Sequence, residues 1–391
     1  MLSDTSRPVI EATLPIIGER IGGITKKFYA RLFAAHPELL DGTFSRANQK
    51  NGAQQQALAG AIAAFASHLV SNPDTLPEAV LARIAHKHAS LGIVEEQYPI
   101  VHQHLFAAIA EDLGDAVTPA VAEAWSEVYW LMADALVKIE KGLYARQANG
   151  SMWTPWTLVS KEPAGVASAT FHFAPADGTP VTVAAPGQYV SIRVPVADGL
   201  RQCRQYSLSD AVGSTSRRVF TAKLDEGGEV SPFLHNNLQV GDVVELSNPY
   251  GDITIDAASD SPIVLATAGI GCTPSASALQ SLANSASERR VLVLHAEQRA
   301  ENWALREQML AAVDALPNAE LRLWLEVADA GTVAADGLMD LGAVDLPEDA
   351  LLYLCGPLPF MRAVRSQAIA AGIPATRIHY EVFGPDLWLA A

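Results

Sequence analysis

Arg204-Gln205-Tyr206-Ser207 and, upstream, Pro186-Gly187-Gln188-Tyr189 are the stretches of this sequence best suited to chemistry. A guanidinium can fork onto a phosphate, and Tyr189 and Tyr206 offer flat faces on which an isoalloxazine could stack. Their separation suits two strands of one small barrel, so the group they would hold is a flavin nucleotide. Taken alone, Arg-x-Tyr-Ser reads better as an ordinary antiparallel strand. Its surroundings change the balance.

Two glycine-containing stretches suit phosphate. Gly227-Gly228-Glu229-Val230-Ser231-Pro232 places a flexible pair before a helix expected to have Ser231 at the N-cap and Pro232 at N1. The amides of such a start bind phosphate. Many helices begin this way and bind nothing, but beside Arg204 and Tyr189 the stretch completes a pyrophosphate clamp in which Gly228 and Ser231 take part. Gly269-Ile270-Gly271-Cys272-Thr273-Pro274 follows an apolar run, where glycines let the backbone approach a dinucleotide and Pro274 starts a helix. It is not a full G-x-G-x-x-G. Arg299 could attract a 2′-phosphate and Glu297 would oppose it, so the sequence does not separate NADH from NADPH. Cys355 reads either as a small buried residue or as a neighbour of a nicotinamide.

In the first third, Leu81, Ile84 and His88 fall at i, i+3 and i+7 of a helix beginning after Pro77, which puts His88 on the buried face. A histidine there is a satisfied core residue or a metal ligand. Glu140 sits among Leu136, Val137, Leu143 and Tyr144 on the inner stripe of a later helix, where an unpaired carboxylate would cost several kcal/mol. Tyr98, at the start of the helix after His88, could supply a hydroxyl between them. A carboxylate behind an imidazole is what a metal-ligating histidine usually has. The pairs His86/His88 and His102/His104 cannot chelate one ion, because residues i and i+2 diverge by roughly 200° on a helix. His86 and His102 are expected to be solvated.

The elements that must position these groups follow from periodicity. From Ile10 to about Arg146 the apolar spacing is helical, interrupted by Pro37, Pro73, Pro77, Pro99 and Pro119. Asn149-Gly150-Ser151 ends that region, and Trp153, Pro155 and Trp156 open a segment of different composition. Strand-like runs at Ala169–Phe173, Gln188–Val194, Arg204–Leu208, Val219–Lys223 and Val243–Leu246 then suggest a small antiparallel barrel. From Pro262 onward, apolar runs at Ile263–Ala268, Val291–His295, Leu321–Val327, Leu351–Cys355 and Ile378–Phe383, with helices expected between each successive pair, read as a doubly wound parallel sheet. At 391 residues the chain is long enough for two or three domains. The charge balance, 27 Lys and Arg against 43 Asp and Glu, or −16, repels phosphate backbones and anionic lipid, so nucleic acid is not an expected partner. Cys203, Cys272 and Cys355 are odd in number and far apart, which suits a reducing compartment and not a disulfide framework. No apolar stretch reaches the ~18–20 residues of a transmembrane segment. A cytoplasmic protein is expected.

Residues 1–146 resemble a haem-binding globin of the flavohaemoglobin type, and the remainder resembles that family's ferredoxin-reductase-like module. The resemblance rests on Phe28-Tyr29, on Asn48-Gln49-Lys50-Asn51-Gly52 leading to Gln54 and Leu58, and on Lys87-His88 followed by Glu96-Gln97-Tyr98. It also rests on Cys355-Gly356-Pro357 and Tyr380-Glu381-Val382-Phe383-Gly384-Pro385. It implies three domains: a haem-binding globin over 1–147, an FAD-binding β-barrel over 151–257 and a Rossmann-like NAD(P)H-binding α/β domain over 258–391. The cofactors implied are haem b with its iron, FAD and NAD(P)H. His88 is implied as the proximal iron ligand with Tyr98 and Glu140 behind it. Tyr29, Gln54 and Leu58 would face the distal pocket, and Phe44 would pack against the porphyrin. FAD contacts carry over to Tyr189, Arg204, Gln205, Tyr206 and Ser207, and dinucleotide contacts to Gly269, Ile270, Gly271, Cys272, Thr273 and Pro274. Phe383, with Val382, Gly384 and Pro385, would cover the flavin ring, while Lys87 and Glu381 would bear on the electron path to haem. This chain has Val382 where the family often has cysteine, and one extra residue near Asp41-Gly42-Thr43.

The function this implies is nitric oxide dioxygenation, nitrate being formed from nitric oxide and oxygen with NAD(P)H electrons. A hydrogen bond from Tyr29 to charge on bound oxygen would be worth ~1.5–3 kcal/mol. The partners expected are O2, NO and NAD(P)H, with a lipid as an admissible occupant of the distal pocket and the chain a monomer. Two rivals keep the same cofactors: an oxygen or nitric oxide sensor or store that reduces itself, and a flavin reductase of outside acceptors.

Overall fold

A computed structural model describes residues 1–196, 198–327 and 331–386. The chain divides into two compact units. One holds Met1–Met152, Arg193–Arg204 and the segment from Pro385; the other holds Trp153–Ile192 and Gln205–Gly384.

The first unit is built on helices α1 (Arg7–Ala35), α2 (Arg46–Lys50), α3 (Ala53–Ser71), α4 (Glu78–Leu91), α5 (Tyr98–Leu113) and α6 (Pro119–Ala145). Their ends follow local chemistry. Ser45 Oγ accepts the Asn48 amide to start α2, and Thr118 Oγ1 accepts that of Val121 ahead of Pro119 to start α6. Gly92, left-handed at φ 76°, closes α4. On α1, Ile24, Phe28 and Leu32 repeat every four residues and are fully buried with Leu105, Ala108 and Ile109 of α5. Each such side chain contributes about 1.5–3 kcal/mol. Among the described residues no helix is long and apolar enough to cross a membrane.

The second region of secondary structure opens with an antiparallel sheet: β1 (Trp153–Pro163), β2 (Ser168–Pro175), β3 (Tyr189–Pro195), β4 (Arg201–Ser207), β5 (Arg218–Lys223) and β6 (Val243–Ser247), in the order β4-β3-β6-β1-β2-β5. A bridge between Leu208, just past β4, and Phe220 on β5 joins the outer strands and closes the sheet into a barrel. β1, its longest strand, was not expected. Its alternating burial is plain in the fold, but Pro155 and the polar residues Ser160, Lys161 and Glu162 mask the pattern in sequence. Between β5 and β6 lie a single turn, α7 (Val230–Pro232), and a π-turn over Phe233–Asn237. At Gly187 (φ 96°) a β-carbon would stand 2.3 Å from the carbonyl oxygen of Ile253, so only glycine lets the chain pass there into β3.

The parallel sheet consists of β7 (Ile263–Ala268), β8 (Val291–Glu297), β9 (Ala319–Leu325), β10 (Ala335–Asp336), β11 (Leu351–Cys355) and β12 (Ile378–Glu381), ordered β10-β9-β8-β7-β11-β12. Helices α8 (Thr273–Asn284), α9 (Arg306–Asp314) and α10 (Leu358–Ala370) make three of the four expected crossovers. The connection from β9 to β11 has no helix among its described residues: it carries β10 and a 3₁₀ turn at Leu341–Ala343, and Gly331 and Gly337 take positive φ there. β12 ends at Glu381, so Val382 and Phe383 lie beyond the strand that had been expected to include them.

His295, fully buried on β8, hydrogen-bonds Thr267 Oγ1 through Nδ1 at 2.8 Å and stacks on Trp303 at 4.8 Å. Burial pushes its pKa down to about 3, against ~6.5 in an unfolded chain. The folded protein therefore refuses a proton that the unfolded chain binds, and stability is complete above pH ~6.5 and lost as pH falls towards the folded value. At pH 5 this amounts to about 2 kcal/mol. Urea unfolding of the full chain at about pH 7.5 and 5 should show that much extra loss in the wild type relative to His295→Gln. Equal losses in the two proteins would refute the assignment.

Candidate functional site

In the helical unit, α4, α5 and α6 bring together three groups far apart in sequence. His88 Nδ1 lies 2.8 Å from Glu140 Oε1 and 3.1 Å from the Tyr98 hydroxyl, which donates to the same carboxylate oxygen at 2.6 Å. Glu140 is 2% exposed, so these bonds hold a carboxylate that solvent does not reach. Burial, and then the neighbouring Glu140, push the Tyr98 phenol far above its ordinary range, so it stays a donor. Tyr129 donates to the Tyr98 carbonyl at 2.7 Å and fixes the start of α5. With Nδ1 committed, the imidazole has Nε2 left to bind a metal.

Among the described residues no group of three or more His, Cys, Asp or Glu is placed to hold a metal ion by itself. A single imidazole backed by a carboxylate fits an iron whose other ligands come from a macrocycle. Tyr29, on α1, is buried beside Phe28, with Phe44 edge-on at 5.9 Å and Phe33 stacked at 5.6 Å. Phe44 and Leu58 pack partly buried against the same cluster, so the extra residue near Gly42 does not displace Phe44 from it. Burial raises the Tyr29 phenol well above its usual pKa, and a hydrogen bond with Gln54 opposes the shift. Tyr29, Gln54, Leu58 and Phe44 thus lie together in the helical unit. Lys87 precedes His88 on α4 in this unit, whereas Glu381 ends β12 in the other. His102 departs from expectation: it is sandwiched by Phe106 and Trp130 at 4.2 and 5.2 Å, and Nε2 lies 2.9 Å from Ser126 Oγ.

On the barrel, β4 carries Arg204, Gln205, Tyr206 and Ser207, and the Leu208 amide donates to the carbonyl of Gln188 beside Tyr189. The Arg204 guanidinium gives one donor to the Cys203 carbonyl at 2.7 Å, its only side-chain hydrogen bond among the described residues, so most of its fork remains for an anion. Gln205 Nε2 donates to Ser191 Oγ at 2.8 Å, and Tyr206 lies flat on Phe220 at 4.8 Å, 8° from parallel. The phosphate turn needs correction. Ser231 is not the N-cap, which is Glu229; its hydroxyl accepts from the Asp225 amide at 3.0 Å and so belongs to the preceding turn. The Gly227 and Gly228 amides both close onto Asp225, at 3.1 and 3.0 Å. The first turn of α7 offers only the amides of Val230 and Ser231, since Pro232 carries no N–H. Lys161, which sequence reasoning passed over, anchors the far end of this segment: Nζ donates to the carbonyls of His235 and Leu238 at 2.5 and 3.5 Å. Nothing in the sequence marked it, because Lys161 lies between Ser160 and Glu162 in a strand whose pattern is masked.

On the parallel sheet, Gly269–Cys272 forms a 3₁₀ turn at the end of β7 that runs into α8 at Thr273 and Pro274. A β-carbon on Gly271 would meet the Cys355 carbonyl oxygen at 2.4 Å, so this turn lies directly against the exit of β11. The two strands flank the point where the strand order reverses, the usual position of a nucleotide in such sheets. Burial raises the thiols of Cys272 and Cys355, which keeps both protonated and unreactive. Val382, Phe383, Gly384 and Pro385 follow β12, with Phe383 46% exposed.

The sequence matches three families in order: Globin over residues 26–136, Oxidoreductase FAD-binding domain over 155–255 and Oxidoreductase NAD-binding domain over 265–366. It is 40% identical over 405 residues to a flavohemoprotein of Rhizobium meliloti, covering 99% of this chain and 100% of that one, and 41% identical to one of Chromobacterium violaceum, covering 98% of each. The fold is similar to a flavohemoglobin from Malassezia yamatoensis solved with FAD and haem bound, with a TM-score of 0.93, 42% identity and coverage of 98% of this chain and 100% of that chain. The FAD/NAD-binding domain of a nitric oxide dioxygenase from Vibrio cholerae is similar over 59% of this chain and 99% of its own, at 34% identity and a TM-score of 0.56. Because the full-length matches run through the helical unit, the barrel and the parallel sheet alike, the chain belongs to the flavohemoprotein family.

Proposed function

We propose that this oxidoreductase is a nitric oxide dioxygenase of the cytoplasm, organised as a globin over 1–147, an FAD domain over 151–257 and a NAD(P)H domain over 258–391. The observation that carries the reading is the His88–Glu140–Tyr98 network, joined in one polypeptide to domains that match FAD-binding and NAD-binding families. A store or sensor needs reduction only occasionally, whereas an attached reductase supports continuous turnover.

When bound, haem supplies the centre at which oxygen and nitric oxide combine, and FAD splits the hydride of NAD(P)H into single electrons. One hydride then suffices for two nitric oxide molecules, giving two nitrates from two oxygens. The chain's residues set the conditions. His88 would hold iron through Nε2, with the Glu140 carboxylate drawing the Nδ1 proton and making the imidazole a stronger donor. Tyr29, desolvated and oriented by Gln54, would donate its hydroxyl hydrogen to negative charge developing in the distal pocket. Leu58 and Phe44 keep that pocket apolar, which strengthens the bond. Arg204 and the first turn of α7 would bind the FAD phosphates, and Gly269–Pro274 the dinucleotide.

Purified protein given NAD(P)H and air should consume nitric oxide catalytically and release nitrate in equal amount. Tyr29→Phe should lower that rate roughly ten- to a hundredfold, the loss of one charge-assisted hydrogen bond. A single stoichiometric turnover would mark a store, and NAD(P)H oxidation unaffected by nitric oxide would mark a reductase of other acceptors.

A further inference from the structure

The helical unit takes in Arg193–Arg204, from the last residues of β3 to the start of β4. Facing this piece is the stretch from Leu40 to Arg46, which leads from a 3₁₀ turn at Pro37–Leu40 into α2. Asp41 receives three donors from one residue. Its Oδ1 accepts the Arg201 amide at 2.7 Å and Arg201 Nε at 3.2 Å, and its Oδ2 accepts Arg201 Nη2 at 2.7 Å. The backbones close the ring, because the Gly42 amide donates to the Arg201 carbonyl at 2.9 Å. Next along β4, the fully buried side chain of Gln202 binds both ends of the facing stretch: Nε2 donates to the Leu40 carbonyl at 3.1 Å and Oε1 accepts the Arg46 amide at 3.2 Å. Hydrogen bonding from the Arg201 side chain holds the Asp41 carboxyl below its ordinary pKa, so the charge is present at neutral pH.

An exposed ion pair contributes little stability by itself. This one is two-pronged, shares its carboxylate with a backbone amide and adjoins a buried amide side chain, so what it supplies is geometry. Both halves of the clamp run directly into proposed cofactor seats. Phe44, two residues past Gly42, meets Tyr29 edge-on at 5.9 Å. Arg204 follows Arg201 by three residues on the same strand and opens the Arg204–Ser207 stretch. An extended strand carries a displacement over such a span, about 10 Å, with little loss. We infer that Asp41, Arg201 and Gln202 are positioning residues for electron delivery from flavin to haem: they hold the start of β4 on the 40–46 stretch and so fix the flavin seat relative to the distal pocket. This rests on the haem and FAD seats of the proposed function.

Anaerobic stopped-flow of the holoprotein with NAD(P)H separates reduction of the flavin from the later transfer of one electron from that flavin to each ferric haem. Asp41→Asn and Arg201→Gln should each slow haem reduction about tenfold and leave flavin reduction within about twofold of wild type. Since the two side chains act as a pair, the double variant should be no slower than the slower single one. Hydrogen exchange on the same holoproteins gives a readout apart from turnover: Asp41→Asn should lower amide protection across 193–204 as well as 40–46. Unchanged haem reduction in the single variants, equal slowing of both steps, effects that multiply in the double variant, or exchange confined to 40–46 would each overturn the inference. A wild type whose flavin bleaches while its haem stays ferric would instead sink the proposed function, and the inference with it. Should one variant not fold, the other decides by the same two measurements.

Discussion

His88→Ala should purify without haem and with its flavin. The imidazole has the buried Glu140 carboxylate behind one nitrogen and the other left for iron, so its removal would delete the proposed bond to the metal. The fold should survive, because Tyr98 still donates to Glu140 at 2.6 Å and the buried carboxylate keeps a partner. The cost in stability is that of one charged hydrogen bond, about 1.5–3 kcal/mol. The visible spectrum should lose its Soret band and keep the flavin absorption, nitric oxide consumption should fall below roughly a hundredth of wild type, and NAD(P)H should still bleach the flavin. Added imidazole should restore haem binding in the vacated position, which a residue with a merely structural role would not allow. Full haem content in the variant without imidazole would show that the ligand lies elsewhere.

Gly271→Ala should act at the other end of the electron path. A β-carbon there would sit 2.4, 2.6 and 2.8 Å from Cys355 O, Cys355 C and Gly356 N. All three are backbone atoms between two paired strands, so no side chain can rotate away to relieve the clash. Forcing β7 and β11 apart costs about 1–3 kcal/mol or more, and it displaces the turn by a large fraction of an ångström. Since misplacement by ~1 Å can cost about a hundredfold in rate, hydride transfer to flavin should fall by about that factor. Haem and flavin contents should stay at wild-type levels. Gly18→Ala, on α1 with nothing within 4 Å of its added carbon, provides the comparison and should be neutral or slightly stabilising. Unaltered flavin reduction in Gly271→Ala would mean that the dinucleotide does not use this turn.

Helical spacing and proline breaks were enough to delimit the helices around His88, and continuous apolar runs were enough for β7 and β11, whose limits agree residue for residue with expectation. Such signals are legible because one segment's own periodicity decides which face is buried. β1 was illegible because its inward residues alternate with Pro155, Lys161 and other polar groups whose places depend on the barrel around them. The segment between β9 and β11 lost its expected helix for a related reason: its apolar residues suit a helix no better than an irregular path in which Gly331 and Gly337 turn the chain.

Residue types and local order therefore determined the succession of a helical region, an antiparallel sheet and a parallel sheet, together with the motifs each would present. Only the tertiary structure decided that His88 and Glu140, 52 residues apart, are hydrogen-bonded to each other, and that Glu297 leans over Gly269. The reason is one of range. Backbone preference and side-chain polarity act within a few residues, whereas a hydrogen bond closes over 2.6–3.1 Å between atoms whose approach is set by how separate elements pack.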